Sequence, residues 1–347
     1  METSRRSTTD IPLYEPDRPP RALWDIDYMS ELELVWGRRW GAQSDLGKIE
    51  MVLVSRPNEL DVRPDVVEFR KKDRAFSGPV AEPDLKKFQA EHDGLTDLLR
   101  REGAEVIDLN VPLDARGAYT PYPGGIHGTR DIVVLNGGAI IPRMGVATKR
   151  GAEVYWAKKL LELGCPILYT VHGNGCFEGG NVCWIDSKHV MVGISVRTNL
   201  EGLRQVEPIF KMNGVEEVHP VYLTSYLDTG LGYHHHLDIC FGLVDEGLAL
   251  IYPPGIDTVT LEYLRKRDIE LIEVPYEEVM RAACKSLAVR PGRVLIPKGN
   301  PRTVEALTKK EVEVTEFEWE EHIRGTGVAG GPGGPVCSTA PLIRDSV

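Results

Sequence analysis

The feature that most constrains this chain is a unit that returns along its length: a β-hairpin, an amphipathic helix, then a short strand. Turn residues between apolar runs mark the hairpins. Residues 131–144 alternate around Asn136-Gly137, a pair suited to a tight hairpin turn. Residues 181–194 turn at Asp186-Ser187-Lys188, 238–251 at Asp245-Glu246-Gly247, and 286–297 at Pro291-Gly292. Helical spacing follows each hairpin. Val154, Ala157, Leu160 and Leu161 form one stripe that ends at Gly164, and Leu203, Val206, Ile209 and Phe210 another that ends at Asn213-Gly214. Leu261 and Leu264 follow an Asp257 cap, and Val304 and Leu307 follow Pro301 at a first-turn position. A strand closes each unit: 166–170, 218–223, 269–274 and 312–317.

An incomplete copy precedes these four. Residues 48–54 supply a strand, Leu85, Phe88, Leu95 and Leu98 a helix stripe, and 105–109 a closing strand. The missing hairpin partner is expected from 336–343, near the end of the chain. Units thus begin near residues 48, 131, 181, 238 and 286. One ββαβ unit cannot bury its own sheet, so five copies point to a closed, pseudo-symmetric α/β ring. An open α/β sheet also alternates strands and helices, but it would carry single strands where this chain repeats hairpins. Residues 1–25, rich in Pro, Arg and Asp, read as a loosely ordered tail, leaving 26–347 as a single domain.

Lys plus Arg number 41 against 52 Asp plus Glu, and no basic run is interleaved with aromatics, so nucleic acid is not the expected partner. Neither a signal-like apolar segment nor a stretch of membrane-spanning length is present, and no membrane partner is expected. The six cysteines are scattered and none forms a Cys-x-x-Cys pair, which suits free thiols in a reducing cytoplasm better than a disulfide framework or a structural zinc site.

Unusual polar residues fall where each hairpin begins. They are Thr129-Arg130-Asp131, then Phe177-Glu178-Gly179-Gly180-Asn181, then His234-His235-His236-Leu237-Asp238, and, before the C-terminal strand, Gly333-Gly334-Pro335-Val336-Cys337-Ser338. In a ring, equivalent positions gather around one axis, which would bring carboxylates, a histidine and a cysteine into one pocket. A thiolate is a strong nucleophile near neutral pH. Histidine can protonate a leaving amine and later activate water. Carboxylates suit a planar cation whose N–H groups they accept. Each residue also has a plain structural alternative: Asp131 could pair with Arg130, Gly179-Gly180 could be only a turn, and most cysteines are inert core. Cys183 and Cys240, inside apolar strands, take that core reading. The coincidence of these residues across the units argues for a site.

With these motifs in view, the chain resembles the guanidino-modifying enzymes: arginine deiminase, dimethylarginine dimethylaminohydrolase and the amidinotransferases. Phe-Glu-Gly-Gly-Asn (177–181), Gly-Ile-Ser-Val-Arg-Thr-Asn (193–199), His-Leu-Asp (236–238) and Gly-Gly-Pro-Val-Cys-Ser (333–338) carry the resemblance, which spans about residue 48 to the C-terminus. It implies a five-bladed α/β propeller, the pentein fold, in agreement with the repeat count. It further implies that Cys337 attacks a guanidinium carbon, that His236 is general acid and base, and that Glu178 is its carboxylate partner. Asp131 and Asp238 would hold the guanidinium nitrogens. Arg197 would meet a substrate carboxylate; its structural alternative is a solvated arginine. Asn181, where deiminases usually carry Asp, completes the substrate-binding set. No metal or organic cofactor is implied, and family members are often dimers or larger.

The expected reaction is hydrolysis of a guanidino C–N bond. The alternative is amidino transfer to an amine; a non-catalytic binding protein on the same fold ranks below both. The loop at 111–130, rich in Pro, Gly and Tyr, is expected to cover the pocket.

Overall fold

A computed structural model describes residues 27–62, 83–117, 128–224, 235–326 and 333–346. Its sheets answer the repeat one for one. Among the described residues there are five three-stranded sheets, each with one antiparallel pair, a hairpin in four of them, and one parallel neighbour. Blade two holds Val133–Leu135, Gly138–Ile141 and Ile167–Thr170; blade three Val182–Asp186, His189–Ile194 and Glu217–Tyr222. Blade four holds Phe241–Asp245, Leu248–Ile251 and Glu270–Glu273; blade five Leu287–Arg290, Arg293–Pro297 and Glu313–Phe317.

Blade one is closed by both ends of the chain, as its incomplete sequence suggested. Ile49–Val54 pairs in parallel with Glu105–Asp108 and antiparallel with Thr339–Arg344. The last strand is held by more than its ladder. The buried guanidinium of Arg344 donates to the carbonyls of Asp45, Gly47 and Ala288, tying the strand to the preceding segment and to blade five.

Turn chemistry sets the hairpins. Gly137, Gly247 and Gly292 have φ of 102°, 69° and 67°, left-handed values at which a side chain is strained. The middle strands of blades two, four and five are wholly buried, which is why they are almost unbroken apolar runs, while the outer parallel strands of blades one and four are partly exposed and carry charge.

The helices pack on the outside of the ring, and each buries one narrow side. Here one expectation needs correction. In the helix Ala152–Glu162 the buried residues are Ala152, Trp156 and Leu160, while Val154 and Leu161 face solvent at 65% and 55% exposure. Leu160 is buried as expected and Ala157 packs against the core, while Trp156 and Ala152 take the places given to Val154 and Leu161. Asp257 caps its helix by accepting from Thr260 N, and the helix Pro301–Lys309 begins at the expected proline.

The expected tail and residues 118–127 of the expected covering loop lie outside the described residues. Among the described residues no helix is long and apolar enough to cross a membrane.

Candidate active site

The polar segments ahead of the hairpins are not strands. They are short turns, three of them three-residue 3-10 turns, and neighbouring turns are bonded to each other at four of the five junctions. Thr129 N and Arg130 N donate to the carbonyl of Cys337, Gly179 N to that of Asp131, and Val336 N to that of Lys285. Between blades three and four the link is a side chain: Asn181 Oδ1 accepts from Leu237 N, and its Nδ2 lies 3.2 Å from the carbonyl of His235. This stitching places equivalent residues of successive blades side by side.

Glu178 and His236 form the best-defined pair. His236 Nε2 is 2.8 Å from Glu178 Oε2, and Arg197 Nη1 is 3.2 Å from the same oxygen. Gly145 N donates to Oε1 at 2.7 Å. The Glu178 side chain is fully buried. Burial alone would push its carboxyl up, but Arg197, His236 and Lys149 outweigh that and hold it down to about 2. The carboxylate is therefore ionised, and it fixes the ring of His236 by one nitrogen. The Gly-Gly of the motif is steric. A side chain at Gly180 would put Cβ 2.5 Å from His236 Nδ1, and one at Gly179 would put it 2.2 Å from the Arg130 carbonyl.

Cys337 lies on a single 3-10 turn, Val336–Ser338, directly ahead of the closing strand. Its Sγ is 3.9 Å from Asp238 Oδ2, 3.4 Å from Lys285 Nζ and 3.4 Å from Gly334 N. Burial pushes the thiol above its ordinary value; Lys285 pulls it down and Asp238 pushes it up again. Asp131 is buried and meets Lys149 Nζ at 2.9 Å. Asp238 is also buried, with Lys285 Nζ 3.4 Å from an Oδ1 that makes no hydrogen bond among the described residues. The five residues expected to do chemistry or hold a guanidinium thus fall into two contacting sets, Asp131 with Glu178 and His236, and Cys337 with Asp238.

Arg197, Asn181 and His235 are buried as well. Arg197 does not stand at the surface as a solvated arginine; its side chain is 1% exposed and its Nη1 meets the Glu178 carboxylate of the His236 pair. Asn181, placed in the substrate-binding set, is fully buried, and its amide reaches Ser195 Oγ, Thr198 Oγ1 and the His235 carbonyl. It braces the turn that carries His236. His236 leads into the 3-10 turn Leu237–Ile239, and its ring lies 4.7 Å from that of His235. Burial drives His235 well below the ordinary histidine value, so it is neutral. His234 lies outside the described residues.

Asp131, Glu178 and His236 each offer an atom within 4.8 Å of the others, a spacing that could hold a metal ion. Lys149 and Arg197 already stand on the two carboxylates, however, and a divalent cation would be brought against both.

A family model described as N,N dimethylarginine dimethylhydrolase, eukaryotic, matches residues 69–343. The chain belongs to the dimethylarginine dimethylhydrolase family. It is 26% identical over 251 residues to the N(G),N(G)-dimethylarginine dimethylaminohydrolase of Pseudomonas aeruginosa, covering 72% of this chain and 89% of that protein. It is 27% identical over 306 residues to the uncharacterized protein YkgA of Bacillus subtilis, covering 87% and 94%. A dimethylarginine dimethylaminohydrolase crystallised as an adduct with S-methyl-L-thiocitrulline superposes with a TM-score of 0.65 at 21% identity, over 85% of this chain and 100% of the other. SxtG, an amidinotransferase from Microseira wollei, superposes with a TM-score of 0.66 at 14% identity, over 89% and 98%. These likenesses carry the fold, a five-bladed α/β propeller of the pentein type.

Two residues of this dimethylarginine dimethylhydrolase family member escaped the sequence reading. Lys149 follows the blade-two hairpin on a short 3-10 turn, where nothing in its neighbours marks it. Lys285 had a signal that went unused. It sits directly ahead of the blade-five hairpin, the one blade for which no lead-in residue had been named, and the repeat itself would have pointed to it.

Proposed function

We propose that this chain hydrolyses a guanidino C–N bond of an arginine-like substrate through a covalent intermediate on Cys337. The observation that supports it most is the arrangement across one axis of a His236–Glu178 pair, a partly exposed cysteine, Cys337, and two buried carboxylates, Asp131 and Asp238.

The guanidinium carbon is attacked by the Cys337 thiolate, forming a C–S bond while the C–N π electrons move onto nitrogen. His236, held by Glu178, gives a proton to the departing amine as its C–N bond breaks, leaving an amidino-thiol on Cys337. The now neutral His236 takes a proton from water, the hydroxide adds to the same carbon, and the C–S bond breaks to release a ureido product and the thiolate. Asp131 and Asp238 accept N–H bonds from the guanidinium, giving way from Lys149 and Lys285 as it arrives. The substrate's own charge then adds to the pull on a thiol that burial has raised. Arg197 is a positioning residue that keeps Glu178 ionised and oriented, and Asn181 braces the turn of His236.

Incubation of the purified protein with a panel of guanidino compounds, with and without added amines, tests this reading by mass spectrometry. Ammonia or an alkylamine together with a ureido product is the expected result. Amidine transferred to an added amine would overturn hydrolysis in favour of amidino transfer.

A further inference from the structure

The fifth blade places a cation where the other four place acids, bases and the nucleophile. Lys285 is 3% exposed, and its Nζ lies 3.4 Å from Cys337 Sγ and 3.4 Å from Asp238 Oδ1. Its backbone is part of the same construction, since its carbonyl accepts from Val336 N at 3.4 Å. Gly334, at the start of the nucleophile's turn, leaves room for it: a Cβ there would lie 2.3 Å from Lys285 Cβ and 2.9 Å from its carbonyl oxygen. The turn that carries the nucleophile is therefore shaped around this lysine. A lysine in a dry site is costly unless a negative charge faces it, and Asp238 and Cys337 are the two groups that can supply one.

We propose that Lys285 is a resident counter-ion of the nucleophile, favouring ionisation of Cys337 in the substrate-free protein against the opposing effects of burial and Asp238. It acts through Cys337 and is a positioning residue. The charged groups that meet the sulfur among the described residues are Lys285 and Asp238, with the Gly334 amide as a further donor. They act in opposite directions: the lysine favours the thiolate, the aspartate the thiol. Burial works against a charged Lys285, yet Asp238 and Cys337 more than offset it and its ammonium stays charged. The role deepens the function proposed above, and it can be tested without any guanidino substrate.

The experiment is the pH dependence of alkylation by iodoacetamide, a neutral reagent, read at the Cys337 peptide by mass spectrometry. The thiolate sulfur forms the S–C bond as iodide leaves with the C–I electrons, so the rate follows the ionised fraction. Reading the peptide separates Cys337 from Cys176, the other partly exposed cysteine. Lys285→Gln is expected to raise the midpoint by about one pH unit or more. Asp238→Asn is expected to lower it, and Lys285→Gln added to Asp238→Asn to raise it again by a similar amount. The second pair leaves no unpaired buried carboxylate, so it decides the matter should Lys285→Gln alone fail to fold. A midpoint that does not respond to loss of Lys285 in either background overturns the proposal. Shifted midpoints in a protein that turns over no guanidino compound would instead leave Lys285 in its role and remove the hydrolase reading.

Discussion

His236 Nε2 and Glu178 Oε2 face each other at 2.8 Å inside the ring, with Arg197 on the same oxygen. The Glu178 carboxyl is held at about 2, below its ordinary 4.5. Its ionised form therefore stabilises the folded state fully above about 4.5, and that contribution is lost as the pH falls through about 2. Glu178→Gln keeps the shape without the charge. The variant should be less stable than the parent at neutral pH, with the difference shrinking as the pH is lowered from 4.5 towards 2, measured by denaturant unfolding. Its kcat should fall roughly a hundred- to ten-thousandfold, since His236 loses the partner that orients it.

Arg197 gives a sharper contrast, because its two readings predict different kinetics. As the partner of Glu178, its replacement by Met should lower kcat with similar effect on substrates that bear a carboxylate, such as arginine, and ones that do not, such as agmatine. The fold should lose about 3–5 kcal/mol, the usual cost of leaving one buried charge alone. A rise in KM confined to carboxylate-bearing substrates would return Arg197 to the role its position in the motif first suggested.

Gly180 has no side chain because the imidazole of His236 occupies that space. Gly180→Ala should displace the ring and reduce turnover at least tenfold. Circular dichroism should show the secondary structure intact. Unchanged turnover would mean that the ring position is less critical than the pairing implies.

Asn181 donates where an aspartate could not. Asn181→Asp replaces an amide that reaches Ser195, Thr198 and the His235 carbonyl with a further buried carboxylate. The expected cost is about 1–3 kcal/mol in unfolding free energy, with a parallel loss of activity as the His236 turn loosens. Full stability in that variant would show that the bracing is dispensable.

The blades were legible because their signals are local. Asn136-Gly137, Glu246-Gly247 and Pro291-Gly292 each announce a hairpin by residues the turn requires, and the C-terminal strand was assigned to blade one because residues 48–54 lacked a partner. Cys337, His236, Glu178, Asp131 and Asp238 were found together because a ring brings equivalent positions to one axis. Side-chain direction was not legible. A string of residues gives the charge of Arg197 but not that it turns inward onto Glu178, and it does not show that Asn181 spends its amide on the neighbouring blade. Lys285 was passed over because a lysine ahead of a strand usually belongs to a solvated surface, and only the packing of blade five against Gly334 and Cys337 buries it. The stripe on Ala152–Glu162 was partly misplaced for a related reason: the bulk of Trp156, not spacing alone, sets which side of that helix meets the ring.

The central claim is that Cys337 forms a covalent bond to the guanidinium carbon. Rapid acid quench of the protein during turnover of a guanidino substrate, followed by peptide mass mapping, tests it most directly. An amidino-sized mass gain on the peptide containing Cys337, absent together with all turnover in Cys337→Ala, is the predicted result. Turnover that persists in Cys337→Ala would contradict the account.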